Sequence, residues 1–109
     1  MKGKKNDGLG NTGSDNKIKY RWDLIYWPGV EEIAKVYTEG SLKYGENQWQ
    51  NVEEKRYIAA LFRHMYAYLN GEIFDKESQH VNDVMHIAQV AWNALAICYH
   101  IKNREAKND

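Results

Sequence analysis

The sequence predicts an all-α protein, a small bundle of about three main helices over residues 28–43, 52–70 and 78–103 that self-association would complete. Apolar residues recur at helical spacing in each range, glycines end two of them, and no stretch alternates apolar and polar residues as a strand does. The chain has 109 residues, which is the size of one small domain. Such a domain buries only a modest share of its surface when it folds alone, and oligomerisation would relieve that limit.

Residues that favour helix starts and helix ends mark the limits of the three predicted helices. Proline suits the first turn of a helix, where its missing N–H costs no hydrogen bond, and glycine or Asn-Gly suits the end. A capping box is expected to start the second helix and a serine cap the third. The residues concerned are Pro28 and Gly45 for the first helix, Asn51, Glu54, Asn70 and Gly71 for the second, and Ser78 for the third.

Charged residues on the first helix divide into a paired and an unpaired group. Glu31 with Lys35, and Glu39 with Lys43, are spaced i, i+4, which is the pattern of a solvated face with salt bridges. Glu32 stands outside both pairs. Because Mg²⁺ takes few carboxylates directly and borrows phosphate oxygens and water, Glu32 is the best single metal-ligand candidate on this helix.

The third helix carries the most informative pattern. Apolar residues cover more than half of its circumference, which predicts a buried helix. A polar stripe roughly 120° wide contains amides, imidazoles and one carboxylate, without Lys or Glu. Its members are Gln79, Asp83, His86, Gln89, Asn93 and His100. The stripe either faces water or lines an internal slot in which a ligand supplies the hydrogen bonds that buried polar groups need.

Composition narrows the classes of function. The formal net charge is zero, with 15 basic and 15 acidic residues, which argues against a nucleic-acid-binding surface. The most apolar stretch is interrupted by polar residues, so we expect no membrane span, and no signal peptide is apparent. Cys98 is the single cysteine, which fits a reducing compartment. We therefore expect a cytoplasmic protein without nucleic-acid or membrane partners.

Two features point to phosphate and base recognition. Arg63 on the second helix has the planar, forked guanidinium that matches phosphate oxygens, although it could equally be an ordinary surface arginine. Aromatic residues make up 13% of the chain, and their rings suit either core packing or stacking on a base.

Four segments occur in a characteristic order over about residues 21–101: RWDLIYW, EEIAKVYTEGSLKYG, RHMYAYLNGEIFDKES and HIAQVAWNALAI. In this order they resemble phage-type dATP/dGTP diphosphohydrolase domains, which look like relatives of the all-α MazG-like nucleoside triphosphate pyrophosphohydrolases. The resemblance implies a usually oligomeric helical fold that binds purine deoxynucleotides. It also implies Mg²⁺ or Mn²⁺ and cleavage between the α and β phosphates, which releases a monophosphate and pyrophosphate.

With this resemblance, the chain divides into a polar tail or arm (1–19), a helical nucleotide-binding domain (20–103) and a polar C-terminal tail (104–109). The expected location is the cytoplasm of a phage-infected bacterial host. The predicted catalytic residues are Glu31, Glu32, Glu77 and Asp83, of which Glu32, Glu77 and Asp83 would hold the metal. The predicted nucleotide-binding residues are Trp27, Lys43, Tyr44, Trp49, Arg63, His64, His86 and Asn93.

Two positions depart from the pattern of these enzymes. Lys35 stands where MazG-like enzymes have a third glutamate, and Gln89 stands where the closer family is expected to have a histidine. Each change removes a charge or a metal ligand but keeps a hydrogen-bonding side chain. One hypothesis is therefore metal-dependent hydrolysis of a purine nucleoside triphosphate. The other is capture without cleavage or metal, in which an anti-defence protein sequesters cyclic-nucleotide or ADP-ribose-type immune signals.

A third hypothesis assigns no ligand to the chain. In it, the aromatic surface binds another protein, and the polar stripe of the third helix is simply wet. A charge swap at Asp83 and His86 would then leave stability and partner binding nearly unchanged.

Overall fold

The computed structural model describes residues 18–108, and within this range the protein is a bundle of three α-helices. They are α1 (Trp27–Tyr44), α2 (Glu54–Leu69) and α3 (His86–Asn108), accompanied by two short 3-10 turns, Trp22–Leu24 and Gln48–Asn51. The described range has no β-strand, and Phe74 and Met85 form an isolated antiparallel bridge. The all-α bundle that the sequence predicts is confirmed. No helix among these residues is both long and apolar enough to cross a membrane.

Helix α3 is the centre of the bundle, since it packs mainly against α2 and to a lesser extent against α1. Among residues 18–108, the buried apolar core is small and consists of Tyr57, Val84, Ala88 and Ala96. Aromatic rings extend it in edge-to-face contacts, which add stability beyond the area they bury. In the middle of this group, the ring centroids of Trp49 and Trp92 lie 5.8 Å apart.

The ends of α1 and α2 largely follow the sequence prediction. Pro28 lies in the first turn of α1, and Gly45 after its last turn has a φ of 102°, a left-handed value that favours glycine. The Asn70–Gly71 pair likewise ends α2. The predicted capping box at Asn51 is wrong. Asn51 closes the second 3-10 turn and its side chain donates to Gln48, because α2 begins only at Glu54.

The predicted start of the third helix at Ser78 is also wrong, since α3 begins at His86. The intervening backbone makes long-range hydrogen bonds instead. Asp75 N–H donates to Val84 O at 2.7 Å, His86 N–H donates to Ile73 O at 2.9 Å, and Asp83 takes a left-handed φ of 57°. Periodicity does not reveal such pairing, because its partners lie outside the local window.

The predicted C-terminal tail can be compared with the structure, whereas most of the predicted N-terminal tail cannot. Helix α3 runs on to Asn108, beyond its predicted end at residue 103, so residues 104–108 of the predicted polar C-terminal tail are helical. Arg104 forms an ion pair with Glu54 of α2, which ties this last part of α3 to the bundle. The predicted N-terminal tail, 1–19, lies outside the described residues except for Ile18 and Lys19.

Residues 70–85, here called the α2–α3 loop, are anchored to α1 by Glu39. Its carboxylate accepts hydrogen bonds from the N–H groups of Gln79, His80 and Val81 at 2.8–2.9 Å. Burial alone would raise the pKa of Glu39, but these donors lower it from 4.5 to about 2. The predicted Glu39–Lys43 pair does not form. The Lys43 ammonium lies over the ring of Tyr44 instead, 5.3 Å from its centroid.

Candidate functional site

The three helices and the loops between them form an open cleft of about 1350 Å³. Its walls are the second half of α1, the loop after it, one side of α2, the α2–α3 loop and the first two turns of α3. Small-molecule sites commonly occupy about 300–1,000 Å³, so the cleft has room for a nucleotide. Aromatic rings, imidazoles, amides and basic side chains line it together.

Two histidines meet at the floor of the cleft. His64 comes from α2 and His86 from the first turn of α3, and their Nδ1 atoms lie 2.9 Å apart. These two atoms form a hydrogen bond when one Nδ1 is protonated and donates and the other is unprotonated and accepts. His86 is only 5% exposed, and its Nε2 lies 3.1 Å from Glu72 Oε2 without the alignment of a hydrogen bond.

Asp75 lies beside the two imidazoles. Its Oδ2 accepts a hydrogen bond from Gln89 Nε2 at 2.7 Å, and its Oδ1 accepts one from Glu77 N–H at 2.9 Å. Burial raises the pKa of Asp75, but these hydrogen bonds and the two histidines outweigh burial, so the net pKa is lowered. We call His64, Asp75 and His86 the floor cluster.

The imidazole of His64 favours its neutral form. Burial is the main cause of its lowered pKa, and the neighbouring His86 and Arg63 add to the effect while Asp75 opposes it. The floor cluster therefore combines a neutral ring with an ionised carboxylate, in contact with the interior of the cleft.

The polar stripe of the predicted third helix divides into a buried or half-buried part and an exposed part. His86 and Asn93 are buried, at 5% and 4% exposure, and Gln89 and His100 are half-buried. These four residues lie on α3 and point inward, so the interpretation of a water-facing stripe is wrong for them. Gln79 and Asp83 precede the helix and are exposed. The stripe predicted on the third helix is thus shorter than expected, and the part on α3 faces the interior.

Aromatic side chains form one wall of the cleft. Tyr37, Trp49, Tyr57 and Trp92 line it and pack against one another edge to face. The Tyr57 hydroxyl also donates to the carbonyl of Trp49, which fixes the 3-10 turn against α2. Tyr44 lines the cleft as well but is 69% exposed, which leaves more of its ring accessible for stacking.

Basic side chains on the cleft lining come from three elements. Within residues 18–108, none of them forms a salt bridge, whereas two of the five lining carboxylates accept hydrogen bonds from the protein. The basic residues are Lys43, Arg56, Arg63 and Lys76, the hydrogen-bonded carboxylates are Glu39 and Asp75, and the other lining carboxylates are Glu46, Glu72 and Glu77. The lining therefore mixes both signs of charge, and its basic side chains are available to an anionic ligand.

Most of the predicted nucleotide-binding residues come together on the cleft. The predicted residues on its lining are Lys43, Tyr44, Trp49, Arg63, His64, Glu77, His86 and Asn93. Those outside the lining are Trp27, Glu31, Glu32 and Asp83. The predicted catalytic set is therefore divided, since Glu77 alone of its four carboxylates lines the cleft.

Within residues 18–108, the structure does not bring the predicted Mg²⁺ or Mn²⁺ ligands Glu32, Glu77 and Asp83 together in one group. Glu32 Oε1 lies 3.0 Å from Lys35 Nζ, so an ammonium already neutralises it. Asp83 is exposed and lies off the cleft lining. Among residues 18–108, the one group that brings three potential metal ligands within 4.8 Å is the floor cluster, which shares no residue with the predicted set.

Sequence reasoning missed Asp75, Glu72, Arg56 and Lys76. Asp75 begins the D-x-E-S element, but the pattern directed attention to Glu77, two residues later. The α2–α3 loop brings Asp75 to the histidines through backbone pairing with residues 84–86, and a single sequence carries no signal for that pairing.

The comparisons with known proteins agree with the resemblance. The family model described as dATP/dGTP diphosphohydrolase, N-terminal, matches residues 10–109. A search of curated proteins and a search of solved structures each gave no match. Because the family match covers most of the chain, the protein belongs to the dATP/dGTP diphosphohydrolase N-terminal family.

Proposed function

We propose that this chain binds a purine nucleotide in the cleft and retains it intact. The observation that carries the proposal is that the cleft lining combines two buried polar side chains, His86 and Asn93, with basic side chains that have no salt-bridge partner within residues 18–108. Buried polar groups are stable when they are hydrogen-bonded, and a ligand supplies such partners. A bound anion would likewise neutralise the basic residues.

The distribution of side chains suggests how the nucleotide lies. Arg63 and Arg56 on α2, with Lys43 and Lys76 on the facing elements, would contact the phosphates. Tyr44 would stack on the base, since its ring is the more exposed aromatic surface on the lining. Asn93 is buried beside the aromatic wall and would read a base edge with its amide.

Retention without cleavage is supported by the two departures from the enzyme pattern. Lys35 pairs with Glu32, so this replacement makes a contact that competes with a carboxylate-held Mg²⁺. Gln89 supplies an amide, which donates to Asp75, where an imidazole is expected as a further metal ligand. The captured ligands would then be nucleotide signals, such as cyclic or ADP-ribose-type molecules, in the cytoplasm of a phage-infected cell. Such a function needs no metal.

Cleavage between the α and β phosphates is the second candidate, and the family match is what favours it. In that case the chain would release a monophosphate and pyrophosphate from dATP or dGTP with Mg²⁺ or Mn²⁺. Glu77 is the member of the predicted catalytic set that lines the cleft.

Calorimetry on the full chain tests the proposal. The ligands are dATP, dGTP, a cyclic dinucleotide and ADP-ribose, each with and without Mg²⁺ or Mn²⁺. Each ligand is afterwards recovered by chromatography and assayed for pyrophosphate. Tight binding with intact recovery supports capture, whereas pyrophosphate from any triphosphate overturns it in favour of cleavage. Failure to bind any of them leaves the hypothesis of a protein-interaction module.

A matched pair of variants locates the site. Arg63→Ala should weaken binding at least about tenfold, because a charged hydrogen bond to phosphate is worth about 1.5–3 kcal/mol. Lys55→Ala is the control, since Lys55 is also on α2 but lies off the cleft lining and is 80% exposed. Equal losses in both variants would show a nonspecific charge effect.

We also propose that the chain self-associates. The buried core is small for a domain of this length, whereas α2 exposes an apolar face outside it. Ile58, Phe62, Tyr66 and Leu69 form this face at i, i+4 and i+3 spacing, with exposures of 41–72%. Phe62→Lys should shift the mass measured by light scattering to that of a monomer, and an unchanged mass would contradict the role of this face.

A further inference from the structure

We propose that the floor cluster is a binding site for a divalent transition-metal ion of the Zn²⁺ type, held by two imidazole nitrogens and one carboxylate oxygen. The residues are His64, Asp75 and His86, each from a different segment of the chain. This site shares no residue with the carboxylates that the family resemblance suggests. The inference does not depend on nucleotide binding, since the metal alone tests it.

The spacing of the ligand atoms supports the proposal. The Nδ1 atoms of His64 and His86 are 2.9 Å apart, with their rings tilted by 36°. Two nitrogens that each lie about 2.0–2.1 Å from one tetrahedral Zn²⁺ ion are themselves about 3.3–3.4 Å apart, slightly more than the distance seen here. One ligand atom from each of the three residues falls within 4.8 Å of the others. Small side-chain shifts therefore suffice to place all three around one ion.

The surroundings of the cluster resemble the outer shell of a metal site. With Nδ1 of His86 bound to a metal, its Nε2 carries the proton and faces Glu72 Oε2, 3.1 Å away. Metal-bound histidines usually have such a carboxylate behind them, which fixes the tautomer of the ring. This Nε2 is buried and makes no hydrogen bond, and Glu72 lies where such a carboxylate partner would stand.

The fold holds the carboxylate ligand ready. Asp75 N–H donates to Val84 O and His86 N–H donates to Ile73 O, so the backbone fixes Asp75 beside His86. Gln89 then holds one carboxylate oxygen of Asp75 at 2.7 Å. Ligands that come from three segments and are already fixed lose little freedom when a metal binds.

The ligand types select the class of metal. Two imidazoles and one carboxylate suit Zn²⁺, Co²⁺ or Ni²⁺, whereas Mg²⁺ prefers an all-oxygen octahedron. Three protein ligands leave at least one coordination position open, as in zinc sites that also bind a small molecule. All three residues line the cleft, so that position is accessible to a phosphate or carboxylate oxygen of a ligand.

Titration of tag-free, chelator-stripped full chain with Co²⁺ tests the site, followed by displacement with Zn²⁺. We expect one Co²⁺ per chain with visible absorption, and at least about tenfold weaker binding in His64→Asn and Asp75→Asn, because loss of even an outer partner typically costs 10–100-fold. These two positions are half-buried, so their variants should fold, which circular dichroism checks. His80→Asn is the matched control, since His80 is an exposed histidine outside the cluster.

Cys98→Ser is the second control, because Cys98 is exposed and a thiolate binds the same metals. Absence of bound Co²⁺, equal affinity in wild type and His64→Asn, or a loss confined to Cys98→Ser would each overturn the proposal and leave a simple hydrogen-bonded histidine pair. Nucleotide titrations of the same variants in excess chelator are run separately. They distinguish failure of the metal site from failure of nucleotide binding.

Discussion

The first turns of α1 and the floor of the cleft both carry potential metal ligands, but the partners of these ligands differ between the two regions. At the start of α1, Glu32 pairs with Lys35 three residues away on the same helix. On the floor, His64, Asp75 and His86 come from separate segments and lie close together, and no lysine or arginine among residues 18–108 forms an ion pair with Asp75. An ion pair within one helix forms from local spacing alone, whereas a ligand site needs groups that the tertiary structure brings together.

The two half-buried glutamates of α1 show the same contrast within one element. The sequence pattern pairs Glu39 with Lys43 and leaves Glu32 without a partner. In the structure, Glu32 is the glutamate in a local ion pair, and Glu39 binds three backbone N–H groups some 40 residues further along. Spacing of i, i+4 permits a salt bridge worth only about 0.3–0.5 kcal/mol, so a set of backbone donors easily competes with it.

The largest expected difference between the two regions is the loss of stability caused by His86→Ala on the floor of the cleft. This change removes a buried side chain, leaves a cavity beside α2 and takes away the partner of His64 Nδ1. We expect a decrease of about 2–3 kcal/mol in the free energy of unfolding, measured in urea. His80→Ala is the matched control and should be nearly neutral, because His80 is exposed. Equal values for both variants would mean that the floor is not a packed part of the fold.

The existence of the helices could be predicted from local patterns, but the start of α3 could not. Pro28, Gly45 and Gly71 act within one turn of the chain, so their effect is visible in sequence. The segment 78–85 has helical periodicity but makes its hydrogen bonds with Glu39 and with residues 73–75. Tertiary bonds of this kind override local propensity, and they also decide where Asp75 lies.

The candidate site was predictable in part for the same reason. Arg63, His64, His86 and Asn93 lie on helices whose inward face follows from periodicity, and all four reach the cleft. Asp75 lies in the α2–α3 loop, so its place beside the histidines depends on the fold. Spacing alone could not have assigned it.

A second and smaller effect is expected at the anchor of the α2–α3 loop. Glu39→Gln removes the charge that holds the N–H groups of Gln79, His80 and Val81. Charge-assisted hydrogen bonds at this half-exposed site support a loss of about 1–2 kcal/mol in the free energy of unfolding. Hydrogen exchange should show faster exchange of these three amides, with α2 protected as in the wild type. If the exchange rates stay the same, another contact fixes the loop.

The same anchor gives a pH dependence of defined sign. The pKa of Glu39 is 4.5 ordinarily and about 2 in the folded chain, so the unfolded chain binds more protons between these values. Its contribution to stability is therefore fully present above about pH 4.5 and is lost as the pH falls towards 2. The wild type should lose more stability over this window than Glu39→Gln does, as measured by urea unfolding at several pH values. Parallel curves would contradict the low pKa.

The smallest effect is expected at the start of α1, where the predicted metal ligand stands. Glu32→Gln removes one half of an i, i+3 ion pair and should change the free energy of unfolding by no more than about 0.5 kcal/mol. Nucleotide affinity and Co²⁺ affinity should both stay within about twofold of the wild type, because Glu32 lines neither the cleft nor the floor cluster. Calorimetry under the conditions used for Arg63→Ala and Asp75→Asn measures both. A loss of affinity as large as in those variants would contradict this prediction. Glu32 would then have to leave Lys35 and turn towards the ligand, and the start of α1 would belong to the site.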